Sequence, residues 1–319
     1  MKFKRAFLTE PGKFAISEVD EEPKAGQVLV KVAACGLCNW ELNFWKGSLN
    51  YYGYPHSLGH EWAGTVVELG EGVKDLKVGD KVTALPNLLN GFAEYTVTHE
   101  SNCCKVSPEI DLKYALGEPL KCILTVLRGA VPEAGDHAVI QGCGPMGLWC
   151  IQALSGNLLS SLIAIDIDET KLELAKKFGA THVINPKKEN AANQIAAITE
   201  GHMADLVIDG TGVPALLNTA QVYLKKGRGR LVLMSSHEET CKEFDFREAI
   251  KRSLQIIVSH PAYSTNPMDD LRRAVAFLNQ GTFKVAEIVS HKFPLDDIQT
   301  AFETLENKPA NYLKGIVIP

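Results

Sequence analysis

Cys38, His60 and Glu118 offer a thiol, an imidazole and a carboxylate, each inside a short distinctive segment: Gly36-Leu37-Cys38, Gly59-His60-Glu61 and Gly117-Glu118-Pro119. Enzymes that use zinc take three protein ligands of these kinds and keep a fourth position for water or substrate, whereas structural zinc is closed by four. The set reads as one catalytic Zn2+ site. Zinc lowers the pKa of bound water from ~16 to about 7, which at ~1.4 kcal/mol per unit is roughly 12 kcal/mol of anion stabilisation. Any other hydroxyl bound there would be acidified in the same way.

The neighbours of these residues need roles of their own. In an extended segment adjacent side chains point to opposite sides, so His60 is the expected ligand and Glu61 a supporting carboxylate, or an alternate ligand that replaces departing water. The pair Cys35-x-x-Cys38 is also compatible with a redox dithiol or half of a zinc knuckle. No second C-x-x-C completes a knuckle, and the context is not thioredoxin-like. Cys35 therefore reads as a small buried apolar residue. His56, His99, His182, His260 and His291 belong to no motif and read as ordinary surface or cleft residues.

A second constellation follows the apolar run Ala138-Val139-Ile140. Gly142-Cys143-Gly144-Pro145-Met146-Gly147 has the G-x-G-x-x-G spacing between a strand and a helix, the context in which that motif binds a dinucleotide. The first glycine permits the tight turn, the second lets backbone approach the pyrophosphate, and the third allows helix and strand to pack closely. Pro145 suits a first helical turn, where a missing N–H costs nothing. Asp166 closes the run Ile163-Ala164-Ile165 and can accept hydrogen bonds from the adenosine ribose, while it would repel a 2′-phosphate. NAD is favoured over NADP.

The elements that must carry these groups fall into two patterns. The first ~120 residues alternate short β-like runs (28–32, 63–67, 92–97) with turn residues such as Gly79-Asp80 and Asn90-Gly91, as a mostly antiparallel, loop-rich domain does. From Ala138 strand and helix alternate: 146–154, 169–178 and 215–224 read as helices between strands at 162–165, 205–208 and 231–234. That alternation predicts an α/β doubly wound parallel sheet. After about Ser259 the pattern stops, a helix is expected over 269–279, and the terminal Gly315-Ile316-Val317-Ile318 returns to the first domain.

Bulk properties exclude several classes. The 319 residues suit two domains. A net charge of −5 without a basic cluster argues against a nucleic-acid partner. No stretch suits a signal peptide or a membrane span, so a cytoplasmic chain with reduced thiols is expected despite its 8 cysteines.

Taken together, the segments resemble the zinc-dependent medium-chain dehydrogenase/reductase family, the alcohol and polyol dehydrogenases. The resemblance extends through Val78-Gly79-Asp80-Lys81-Val82, Gly91-Phe92-Ala93-Glu94-Tyr95, Glu118-Pro119-Leu120 and Phe293-Pro294-Leu295-Asp296-Asp297. It implies a GroES-like, mostly β catalytic domain from residues 1–120 and 260–319, with a Rossmann NAD-binding domain over 121–259 and the active site in the cleft between. It further implies Lys171 beside the adenosine ribose, Cys122 lining the nicotinamide pocket, and a homo-oligomer, dimer or tetramer. The Glu-Pro-Leu form of the third ligand is similar to the sorbitol, threonine and glucose dehydrogenase branches. Secondary alcohols and polyols are the implied substrates.

Two departures from the family pattern matter. Only Thr83 to Asn90 separates two segments between which many relatives carry a four-cysteine zinc lobe, so one zinc is expected instead of two. Where the family reads a hydroxyl residue two positions after the cysteine and a histidine three further on, this chain has Trp40 and Asn43, neither of which can act as a general base. Glu41 keeps a carboxylate that could orient His60. Trp40 has two open roles, packing into the protein or reshaping the substrate pocket. The proton could leave through water or Glu61. Two other readings compete: a catalytically silent nucleotide- or zinc-binding protein, and a zinc-free enzyme of the quinone-reductase type.

Overall fold

A computed structural model describes residues 1–86, 88–235 and 240–319. The chain divides into two compact units, Met1–Lys121 with Met268–Pro319, and Cys122–Pro267. Among the described residues no helix is long and apolar enough to cross a membrane.

The first unit opens with β1 (Lys2–Glu10), β2 (Lys13–Asp20), β3 (Gln27–Gly36), α1 (Asn39–Trp45), β4 (His56–Ser57), β5 (Glu61–Leu69), β6 (Lys81–Ala84), β7 (Tyr95–His99) and β8 (Cys103–Lys105). Helix α2 (Gly117–Ala130) starts there and runs on into the second unit. The second unit holds β9 (His137–Gln141), α3 (Pro145–Leu154), β10 (Ser161–Ile165), α4 (Glu169–Lys177), β11 (His182–Ile184), α5 (Ala191–Ile198), β12 (Leu206–Asp209), α6 (Leu216–Tyr223), β13 (Arg230–Leu233), α7 (Phe246–Arg252) and β14 (Gln255–Val258). The chain then returns through α8 (Pro267–Asn279), β15 (Val289–Pro294), α9 (Ile298–Asn307) and β16 (Lys314–Ile318).

The first unit is built from both chain ends because its central strand needs a partner from each. β3 pairs antiparallel with β5 along one edge, and along the other with β7 near its start and the terminal strand β16 near its end, in the path β15-β16-β3-β5-β6-β8; β2-β1-β4 form a second sheet. Phe302 of α9 is fully buried against Phe14, Trp45 and Phe92. Each such ring removes apolar surface worth ~1.5–3 kcal/mol. The returning segment is therefore part of one core and not an appendage.

Phe92 and Ala93, expected in sequence as the start of a strand, lie before β7 and bridge to β1 instead. The Ala6 N–H donates to the Phe92 carbonyl at 2.9 Å, and Ala93 bridges Arg5. This turn from one sheet to the other drives the Phe92 ring into the core. The short link after β6 contains Asn87, which lies outside the described residues.

The second unit carries a six-stranded, all-parallel sheet in the order β11-β10-β9-β12-β13-β14. Strands β10 and β12 are buried at every position, as expected where helices cover both faces. Numbered from β9, this is the order 3-2-1-4-5-6, which reverses direction at β9. Ligands of doubly wound sheets bind beyond the strand ends at such a switch point, and the glycine-rich turn follows β9 directly.

Candidate metal centre and dinucleotide turn

Cys38 caps α1 in an extended conformation immediately after β3, and Glu61 opens the neighbouring β5. Register brings them together: Gly36 is the partner of Glu61 on one side and of Ile316 on the other. A Cβ on Gly36 would stand 2.1 Å from Glu61 Oε2, so the glycine is what gives that carboxylate room. Gly59 has φ +108°, and a Cβ there would meet the Phe92 amide at 2.4 Å. The left-handed turn at Gly59 delivers His60 just before the regular strand begins.

The ligand atoms of Cys38, His60 and Glu61 all lie within 4.8 Å of one another. The expectation that His60 and Glu61 face opposite sides is thus corrected. Strand alternation does not apply across Gly59-His60, because β5 starts only at Glu61. Glu118, in the first turn of α2, has Oε2 3.8 Å from His60 Nε2, while its Oε1 is 3.1 Å from Lys121 Nζ. The start of α2 is tied down by Thr83: its hydroxyl accepts the Gly117 N–H at 3.1 Å and donates to the Trp62 carbonyl at 2.9 Å.

Glu41 is fully buried. Its Oε1 accepts the Gly59 N–H at 2.6 Å and faces His60 Nδ1 at 2.9 Å, leaving Nε2 turned toward Glu118. Burial disfavours charge on His60, but Glu41 and Cys38 outweigh it and hold the imidazole well above its ordinary pKa. Lys314 behaves alike: burial opposes its charge, yet Glu61 and then Cys38 raise it above an ordinary lysine. Its Nζ lies 2.5 Å from Glu61 Oε2 and donates to the Leu37 carbonyl at 2.9 Å. Cys35 is fully buried, and burial, then Glu41 and Glu61, push its thiol well up. A thiol, an imidazole and carboxylates converging at this spacing fit one zinc ion.

Trp40 projects from α1 half-exposed, at 36% of its surface. Its ring is edge-on to His60 at 5.5 Å and to Phe44 at 4.9 Å. His56 differs from its sequence reading. It is buried, with Nδ1 2.5 Å from the Gly53 carbonyl and its ring among Phe44, Tyr52 and Tyr54.

In the second unit Gly142 has φ +95°, and a Cβ on Gly147 would fall 1.9 Å from the Gly142 carbonyl oxygen. Nothing lies within 4 Å of where a Cβ on Gly144 would sit, so the N-terminus of α3, with Pro145 in its first turn and Met146 next, is open to an anion. Asp166 Oδ2 accepts the Cys143 N–H at 2.7 Å and Oδ1 accepts the Asp168 N–H at 3.0 Å, which fixes the carboxylate beside that turn. Lys171 Nζ stands 3.8 Å from Asp168. Cys122 is buried on α2.

Lys121 and Lys314 were not singled out in sequence. Each is a lone cation beside an apolar run, Cys122-Ile123-Leu124 and Gly315-Ile316-Val317-Ile318, and each is buried. A buried lysine needs a carboxylate, and that is the signal that could have found both.

Known proteins share this fold. Residues 24–131 match the family model of the alcohol dehydrogenase GroES-like domain, and residues 145–280 match that of the zinc-binding dehydrogenases. The chain is 30% identical to a probable D-xylulose reductase A of Arthroderma otae over 92% of its own length and 91% of that protein's. Two solved structures, each 26% identical with a TM-score of 0.88, are a putative zinc-binding dehydrogenase from Sinorhizobium meliloti bound to NADP and 2R,3R-butanediol dehydrogenase from Bacillus subtilis. They are matched over 100% and 99% of both chains respectively. The chain belongs to the zinc-dependent medium-chain alcohol and polyol dehydrogenase family, which transfers hydride between an alcohol and its ketone.

Proposed function

We propose that Cys38 and His60 hold one catalytic zinc together with a carboxylate from Glu118, with Glu61 near enough to serve as an alternate ligand, and that the hydride acceptor is NAD. The observation that carries this reading is the convergence of the Cys38 thiol, the His60 imidazole and the Glu61 carboxylate within 4.8 Å of one another, with Glu118 Oε2 3.8 Å from His60 Nε2. Bound there, zinc would act as a Lewis acid toward the oxygen of a secondary alcohol or ketone.

The chain's own residues account for the rest. Glu41 Oε1, 2.9 Å from His60 Nδ1, favours the ring proton there and leaves the Nε2 lone pair to bind a metal. Lys314 and Lys121 balance the two carboxylates. The open α3 N-terminus suits a pyrophosphate. Asp166, an acceptor held by two backbone amides, suits the ribose hydroxyls of NAD and opposes a 2′-phosphate.

Trp40 and Asn43 cannot remove the alcohol proton, so it leaves through water or Glu61. A positioned base contributes ~10²–10⁴-fold, less than the zinc effect, and hydride transfer survives its loss. Metal analysis combined with NAD reduction on a panel of polyols and secondary alcohols tests the reading. Absence of zinc from the purified chain would sink it. Zinc and NAD binding without turnover of any alcohol would favour a silent binding protein.

A further inference from the structure

The wall beside the candidate metal centre is aromatic. Phe44 is completely buried at its middle, edge-on to Trp40 at 4.9 Å and to Tyr51 at 5.7 Å, and stacked on Tyr52 at 5.9 Å. The three rings around it are not covered: Trp40 is 36% exposed, Tyr51 70% and Tyr52 62%. Trp40 touches this group and also meets the edge of His60 at 5.5 Å, so the wall is continuous with the site of reaction.

A contiguous group of exposed rings, one of which meets a candidate metal ligand, marks a ligand-binding surface. Trp40, the ring of the wall that meets His60, offers no hydrogen-bond acceptor, and the only polar atoms of Tyr51 and Tyr52 are their terminal hydroxyls. A linear polyol laid over the Trp40 ring would find no acceptor there for its hydroxyl protons. A flat ring would gain offset or edge-to-face contact.

From this arrangement we infer that Trp40, Tyr51 and Tyr52 form a substrate subsite for a planar apolar group carried on the reacting carbon. The substrate class is then an aryl-substituted secondary alcohol and its ketone, and Trp40 is the chief specificity-determining residue. This rests on the hydride-transfer reading above and narrows its substrate.

The experiment compares 1-phenylethanol with 2-butanol and sorbitol in the zinc-loaded chain with NAD, alongside calorimetric titration of acetophenone. The expected kcat/KM for the aryl alcohol exceeds that for 2-butanol by about 10-fold or more, and Trp40→Ala lowers that ratio by about 10-fold while Trp40→Phe keeps most of it. Tyr52→Ala gives an independent variant and lowers the ratio in the same direction. A ratio near one in the wild type, a preference for sorbitol, or a ratio unmoved in both alanine variants overturns the subsite. If no alcohol turns over, the hydride-transfer reading fails and the titration still decides. A Kd for acetophenone raised about 10-fold by Trp40→Ala supports the wall, and absent binding or an unchanged Kd overturns it.

Discussion

Lys314 Nζ lies 2.5 Å from Glu61 Oε2, and the same ammonium donates to the Leu37 carbonyl at 2.9 Å. One side chain from the last strand thereby ties the residue before Cys38 to the residue after His60. Both partners are buried, at 9% and 3% side-chain exposure, so the pair is shielded from solvent screening. Charge balance and geometry at the candidate metal centre thus depend on a strand contributed by the opposite end of the chain.

Lys314→Met should cost about 3–5 kcal/mol of stability, because it strands a buried carboxylate instead of replacing the whole pair. Urea unfolding of the metal-free chain measures it. A loss under about 1 kcal/mol would mean that water already solvates Glu61.

Glu41→Gln keeps the shape but removes the charge opposite His60 Nδ1. Zinc affinity should fall by about 10–100-fold, as for other hydrogen-bond partners of metal-binding histidines. Competition with a chromophoric chelator reads this directly, and an unchanged affinity would separate Glu41 from the metal.

Cys38 is part-exposed, whereas Cys35 and Cys150 are fully buried, and burial pushes the Cys150 thiol up to about 12. Iodoacetamide should label Cys38 in the metal-stripped chain and spare those two. Added zinc should slow Cys38 labelling while leaving the part-exposed Cys241 unaffected. Peptide mass spectrometry follows each site. Equal labelling of Cys38 with and without zinc would count against its being a ligand.

Asp166→Ser withdraws a charged acceptor from two backbone amides. We expect KM for NAD to rise roughly 10-fold or more, from the ~1.5–3 kcal/mol typical of hydrogen bonds to a charged group, with a smaller change for NADP. Initial rates with both cofactors supply the ratio. A ratio that stays put would detach Asp166 from cofactor choice.

Asp205 is partly desolvated, which opposes its charge, yet the His137 N–H at 2.8 Å and the Lys225 ammonium hold its carboxyl below the ordinary range. The stabilisation is present above the unfolded value of about 3.9 and disappears as pH falls through the lower folded value. Thermal midpoints between pH 2 and pH 6 should show this acid-side loss in the wild type and a smaller one in Asp205→Asn.

The inner strands β9, β10, β12 and β13 were legible because each is a compact apolar run in alternation with helical stretches, a local signal; the edge strands β11 and β14, shorter or more exposed, were not. The glycine turn was legible because Gly142 and Gly147 answer steric demands made by adjacent backbone. The first unit was harder. The runs at 28–32 and 63–67 fall inside β3 and β5, but Phe92 and Ala93 cross to β1, a choice made by pairing partners remote in sequence.

By itself the sequence determined which donors were available, in what order, and that a strand, glycine turn, helix and acid stood in the register of a dinucleotide site. Tertiary structure alone decided which groups meet. Glu61 joins His60 because the left-handed turn at Gly59 cancels strand alternation, and Lys314 reaches Leu37 across 277 residues because β16 and β5 flank the same end of β3. The aromatic wall was hidden for the same reason. Periodicity records which face of an element is buried, but the distance between two side chains on different elements is set by sheet register and core packing, which no local pattern encodes.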